Sequence, residues 1–178
     1  MLRSWSLVLP LVLGLAAPGR VSASVGAPVV QAWAWPVVGP VVRDYDPPED
    51  PYGSGHRGID IAAAMRTSIS APEAGVVSFA GKVGGQLFVT LDHGGGLSST
   101  YSWLSAILVR KGDVVPRGAQ IGLTGLGHPG STAPHLHFGV KLDGAYLDPL
   151  DLLGPAPVAG LIHLAPELAV PAPSPGGA

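Results

Sequence analysis

His135-Leu136-His137-Phe138-Gly139-Val140-Lys141-Leu142 places its large apolar residues on every second position. Successive side chains of a β-strand point to opposite faces. The segment therefore reads as a strand with Leu136, Phe138, Val140 and Leu142 turned toward a core and the imidazoles of His135 and His137 together on the other face. Outward from it, the chain is a series of short apolar or alternating runs between glycine and proline punctuation. Strands are expected at 37–45, 58–62, 67–70, 75–80, 87–92, 96–103, 120–123 and 136–142. None of the intervals has room for a long amphipathic helix. Helical turns are expected at 102–106 and 149–153. Many short strands at close spacing imply an all-β domain built on an antiparallel sheet.

A second histidine motif lies 79 positions upstream, His56-Arg57-Gly58-Ile59-Asp60. His56 and Asp60 are i and i+4, so an extended chain puts both on one face. Gly58 between them leaves room for a metal or a neighbouring strand. Alone, a His-x-His pair is as readily a solvent-facing feature of an amphipathic strand, and His-x-x-x-Asp is weaker still. The union supplies three imidazoles and a carboxylate. A catalytic zinc site takes three protein ligands and keeps a position open for water. Spacing does not separate ligand from proton acceptor within His135-Leu136-His137.

Three stretches, Gly53-Ser-Gly-His-Arg-Gly-Ile-Asp-Ile61, Asp92-His-Gly-Gly-Gly-Leu-Ser-Ser-Thr-Tyr101 and Ser131-Thr-Ala-Pro-His-Leu-His-Phe-Gly139, together resemble the M23 family of lysostaphin-like zinc metallopeptidases over roughly residues 34–153. The resemblance implies an antiparallel sheet curled into a mixed barrel and sandwich. It implies one zinc ion on His56, Asp60 and His137, with His135 as the general base. It implies the stem peptides or cross-bridges of bacterial peptidoglycan as substrate. The family usually carries a further active-site histidine in a Tyr-x-His-Leu segment; here Tyr101-Ser102-Trp103-Leu104 puts Trp103 there. An indole donates one hydrogen bond but carries no positive charge, and losing a transition-state donor costs on the order of 100- to 1,000-fold in rate. Two functions follow: a zinc endopeptidase of the cell wall, or a catalytically impaired module that binds peptidoglycan or activates a wall amidase.

Other histidines are weighed against Trp103. His128, in Gly125-Leu126-Gly127-His128-Pro129-Gly130, sits in a loop that runs into the ligand strand and is a candidate for lining the cleft. His93, in Asp92-His93-Gly94-Gly95-Gly96, reads as part of a hairpin turn with a surface role. His163 falls in the tail. Residues 44–55, rich in Pro, Gly and Asp, form a long loop before the first ligand, and Tyr52 within it is a candidate for stacking on substrate.

The first 23 residues read as a signal peptide: Arg3, an apolar run over 5–17 that is too short to span a bilayer, and the small-residue site Val21-Ser22-Ala23. An exported product, extracellular or wall-associated, is expected. The formal charge of −2 loses Arg3 and Arg20 with that leader and becomes −4, which offers no nucleic-acid patch. With no cysteine, export brings no disulfides and no lipid anchor. Residues 24–33 read as a linker and 154–178, rich in Pro, Ala and Gly, as a disordered tail. Residues 161–170 are its one apolar piece.

Overall fold

The computed structural model describes residues 32–50 and 53–157. Two compact units are Met1–Val30 and Gln31–Ala178; the first lies wholly outside the described residues, as do Tyr52, His163 and the apolar piece of the tail. Among the described residues the second unit holds ten strands: β1 (Val41–Arg43), β2 (Ile59–Ala62), β3 (Ser68–Ser70), β4 (Gly75–Val83), β5 (Gln86–Gly94), β6 (Leu97–Ile107), β7 (Val114–Val115), β8 (Gln120–Thr124), β9 (His135–Leu142) and β10 (Ala145–Leu147). A single 3-10 turn, Pro149–Asp151, follows, capped by the Asp148 carboxylate on Leu150 N–H. No helix among the described residues is long and apolar enough to cross a membrane.

All ten strands join one antiparallel sheet, in the order β1-β2-β9-β6-β5-β4-β7. β10 pairs with β9, and β8 with both β6 and β3. Among the described residues no ladder joins β1 to β7, so the sheet is not closed into a barrel. The quoted strand, β9, lies in its interior. β9 pairs with β2 on one side and β6 on the other, and its Leu136, Phe138 and Val140 are fully buried beside Ile59 and Ile61 of β2 and Tyr101 of β6. Leu142, expected in the core, is 40% exposed because it ends the strand at the Asp143-Gly144 turn.

Other expectations change with the structure. Residues 102–106 are strand, not a helical turn. β6 changes partner there, pairing with β5 as far as Leu104 and with β8 from Leu104 to Ile107. Trp103 is the extra residue of a bulge, with φ +65, so the strand bends where a helical turn was expected. β4 and β5 run to a two-residue turn at Gly84-Gly85, both at positive φ, which suits the twist of a tight hairpin. β7 and β10 are too short to show an alternation in sequence, and β1 is confined to three residues. The packing includes Trp33, whose backbone pairs with Leu152 and Gly154, while Trp35 Nε1 donates to Gly154 O.

His93 lies near the end of β5 and is half-buried, not a surface turn residue. Its Nδ1 is 2.8 Å from Ala74 O, which only accepts, so Nδ1 carries the hydrogen. Nε2 then accepts from Ser99 Oγ at 2.8 Å, and Ser99 Oγ in turn accepts from Tyr101 Oη at 2.9 Å. The chain satisfies the fully buried Tyr101 hydroxyl, whose pKa burial pushes up. The His93 ring packs on Trp33 with centroids 4.5 Å apart. Burial holds the His93 imidazole below its ordinary value, against smaller raising contributions from Ala74 O, Glu73 and Asp92. The unfolded chain therefore binds that proton first, so this contribution to stability is complete above about pH 6.5 and is lost as pH falls through the depressed folded value. Relative to His93→Gln, wild type is expected to lose stability between about pH 7 and pH 5 in urea titrations. A wild-type-minus-variant difference that is flat with pH would count against the account.

Candidate metal centre

Register brings the two histidine motifs together. In the β2–β9 ladder Asp60 stands directly opposite His137, and Ala62 opposite His135. Side chains opposite one another in an antiparallel pair share a face, so the carboxylate meets the imidazole of His137 with His135 two residues along. Gly58 makes this approach possible: a Cβ there would strike Phe138 O of β9. It is the neighbouring strand, not a metal, that occupies the room glycine leaves.

His56 enters from the loop before β2. Its backbone bridges to Asp46, and its Nδ1 lies 2.7 Å from Asp44 O. That carbonyl only accepts, so in the neutral ring Nδ1 carries the hydrogen and Nε2 presents a lone pair. The lone pair is 3.0 Å from Asp60 Oδ1 and 3.0 Å from His137 Nδ1, and His137 Nδ1 is 2.9 Å from Asp60 Oδ1. Three donor atoms thus form a near-equilateral triangle. A tetrahedral zinc with bonds of about 2.0 Å has ligand edges of ~3.3 Å, so a small expansion of the triangle accommodates the ion. The hydrogen bond from His56 Nδ1–H to a backbone carbonyl is the arrangement that orients metal-bound imidazoles. The donor set therefore fits zinc.

Asp60 is 2% exposed. Burial alone would raise its pKa, but the hydrogen bond with His137 and the nearby imidazoles of His56, His137 and His135 outweigh it and hold the carboxyl at about 2. The group is an anion throughout the neutral range, as a metal ligand must be.

Its second oxygen faces two more imidazoles. Asp60 Oδ2 is 3.2 Å from His128 Nε2 and 3.8 Å from His135 Nε2. His135 is buried, and its Nδ1 lies 3.0 Å from both Ala133 O and Ser131 Oγ. With Nδ1–H donated to the carbonyl, Nε2 is bare, and it is a buried ring nitrogen without a hydrogen-bond partner. Gly127, at φ +88, packs on this ring; a Cβ there would overlap it. Ser131, Gly127 and Asp44 are supports that the sequence reasoning did not single out, although Ser131 sits in the quoted motif.

A cleft of about 660 Å³ opens over the cluster. His56, His137, His128 and Lys141 line it, and Phe79, Val83, Phe88 and Trp103 supply its apolar lining. The Trp103 ring lies 6.1 Å from Phe88 and edge-on to His128 at 6.4 Å. His56, Asp60, His137, His135 and His128 are brought together; Trp103 lies at the cleft wall. The cleft is of the size that holds small ligands.

The fold and the cluster define an all-β protein with a histidine–aspartate cluster at a cleft, arranged as a candidate metal centre. The model of peptidase family M23 matches residues 54–149, and the chain belongs to that family. It is 31% identical over 138 residues to the murein hydrolase activator NlpD of Salmonella typhimurium, covering 76% of this chain and 35% of the relative. To the DD-carboxypeptidase/endopeptidase Mpg of Neisseria gonorrhoeae it is 36% identical over 107 residues, covering 57% and 24%. The solved structure of a zinc-containing peptidase from Vibrio cholerae superposes with a TM-score of 0.58 at 26% identity, over 71% of this chain and 41% of that one. The chain spans about half the length of the mycobacterial relatives it matches, 52% of an uncharacterised Mycobacterium tuberculosis protein at 37% identity over 70% of this chain.

Gly127→Ala combines a left-handed backbone with overlap of the His135 ring. The backbone term alone is about 1–2 kcal/mol. The substitution is expected to lower the urea midpoint of the metal-free protein by at least that equivalent and to alter the His135 imidazole signals in NMR. Unchanged stability and unchanged signals would show that the loop has room the structure does not give it.

Proposed function

We propose that this protein is an exported zinc metalloendopeptidase that hydrolyses peptide cross-links of bacterial peptidoglycan. The observation that carries the reading is the convergence of His56 Nε2, Asp60 Oδ1 and His137 Nδ1 under a cleft, with the bare Nε2 of His135 beside them. Membership of the family and the likeness to the DD-carboxypeptidase/endopeptidase Mpg and to the zinc-containing peptidase of Vibrio cholerae support it.

His56, Asp60 and His137 hold the ion in this reading, and Asp44 O fixes the tautomer of His56. Zinc, when bound, supplies Lewis acidity and a water acidic enough to lose its proton near neutral pH. His135 accepts that proton at Nε2, because Ala133 O and Ser131 keep the ring's hydrogen on Nδ1. The apolar wall of Phe79, Phe88 and Trp103 receives the peptide's side chains, and the backbone of the substrate lies along the cleft toward the imidazoles. His128 stands in for the histidine that the family usually carries where Trp103 is: its ring lies 6.4 Å from Trp103 and its Nε2 is 3.2 Å from Asp60 Oδ2. Its loop is rich in glycine, which suits a residue that must adjust on binding.

Trp103 itself favours a second reading. An indole at that position supports a module that binds peptidoglycan and activates a separate wall amidase, and the likeness to NlpD agrees with it. Digestion of purified sacculi by the full chain, with metal analysis in parallel, separates the two. The enzyme reading expects one tightly held zinc per chain in the protein as purified, without added metal, and release of peptide fragments. His135→Ala is expected to keep the metal and lose roughly 100-fold in turnover, whereas His137→Ala loses the metal. Equal metal loss in both variants would mean that the roles are misassigned. Wild type inactive on sacculi, with activity gained in Trp103→His, would transfer the conclusion to the activating module.

A further inference from the structure

We propose that the cleft holds a second divalent-cation site, formed by His128 Nε2, His135 Nε2 and Asp60 Oδ2, which shares the Asp60 carboxylate with the first and blocks the general base when filled. The proposal rests on the reading of His56, Asp60 and His137 as the zinc ligands and of His135 as the base.

Geometry supports it first. Asp60, His128 and His135 each bring a donor atom within 4.8 Å of the other two. Their distances to Asp60 Oδ2, 3.2 and 3.8 Å, bracket the ~3.3 Å ligand edge of a tetrahedral zinc. The rings of His128 and His135 stand edge to face with centroids 4.8 Å apart.

Hydrogen bonding supports it next. His135 Nδ1 is engaged by Ala133 O, and His128 Nδ1 lies 3.1 Å from Pro129 O. Ala133 O only accepts, so the neutral His135 ring keeps its hydrogen on Nδ1 and a lone pair on Nε2, which is buried without a hydrogen-bond partner. His128 stands between two acceptors, Pro129 O and Asp60 Oδ2. With its hydrogen on Nδ1, its Nε2 lone pair joins that of His135 and the carboxylate oxygen, a set that a cation satisfies. Both imidazoles are already oriented by backbone carbonyls, as metal-bound histidines commonly are.

Asp60, His128 and His135 line a recess of about 230 Å³ with Val42, Arg43 and Ser131. His56 and His137 line the main cleft, and His128 borders both. The second ion uses none of the ring nitrogens that hold the first. Arg43 at this recess and the charge of the first ion both oppose it, so the second site is the weaker. Two imidazoles and one carboxylate select zinc, cobalt or nickel over calcium or magnesium.

The consequence is inhibition by excess metal. An ion on His135 Nε2 occupies the lone pair that accepts the proton, and it removes His128 from the cleft as well. Equilibrium dialysis of the full chain against rising zinc, read by elemental analysis, tests this. Wild type is expected to plateau at two zinc ions per chain, His128→Gln at one, and His93→Gln at two. Titration with cobalt is expected to shift the absorption band of the first equivalent as the second binds, because the carboxylate is shared. His128→Asn, checked for unchanged circular dichroism, repeats the measurement should the Gln variant fold poorly. A wild-type plateau of one, or a plateau of two kept in both His128 variants, overturns the second site and leaves the first intact. No zinc bound by wild type overturns both.

Discussion

One buried carboxylate organises the site. Asp60 lies within 3.8 Å of four imidazole nitrogens, two on each oxygen. An isolated carboxylate at such depth would take up a proton to escape the cost of desolvation. Here the hydrogen bond and the imidazoles around it reverse that tendency, and the group is held ionised. Two of these imidazoles are fixed from behind. Asp44 O holds His56, and Ala133 O and Ser131 hold His135. On these two rings the hydrogen is committed to the backbone, leaving a lone pair pointed inward.

The central pair of strands makes this possible. Ile59 and Ile61 fill the core from β2, and Leu136, Phe138 and Val140 fill it from β9. The same alternation that buries them turns Asp60 and His137 the other way, face to face across the ladder. A slip of one residue would send the whole set to the wrong side. Core packing and site assembly are thus two outcomes of one register, and glycine at position 58 lets the strands approach closely enough to keep it.

Trp103 is the point where strand geometry and site chemistry meet. A left-handed backbone at an aromatic residue costs about 1–2 kcal/mol. The bulge that imposes it lies one residue past Ser102, the partner of His137 on β6. Strain of this kind persists where the surroundings over-determine it and gathers at functional sites. Its result is an indole at the cleft wall, with Phe88 behind it and His128 at its edge.

Much of this was legible in the sequence because it is local. Period-two alternation marks β9 and β2, and Gly94-Gly95-Gly96 marks one hairpin. The motif around His56 and Asp60, and that around His135 and His137, show which residues carry the chemistry. The reading failed where local signals are weak or silent. β7 and β10 are too short to show a period, and the bulge in β6 looked helical because one residue breaks the alternation. His93 read as a turn residue, since its partners Ala74 and Ser99 come from other segments. Which imidazole nitrogen is bare, how Asp60 divides its two oxygens, and that the loop of His128 folds back onto a residue 68 positions away were decided by tertiary structure alone. They depend on where carbonyl oxygens of distant segments come to rest, and no spacing along the chain records that.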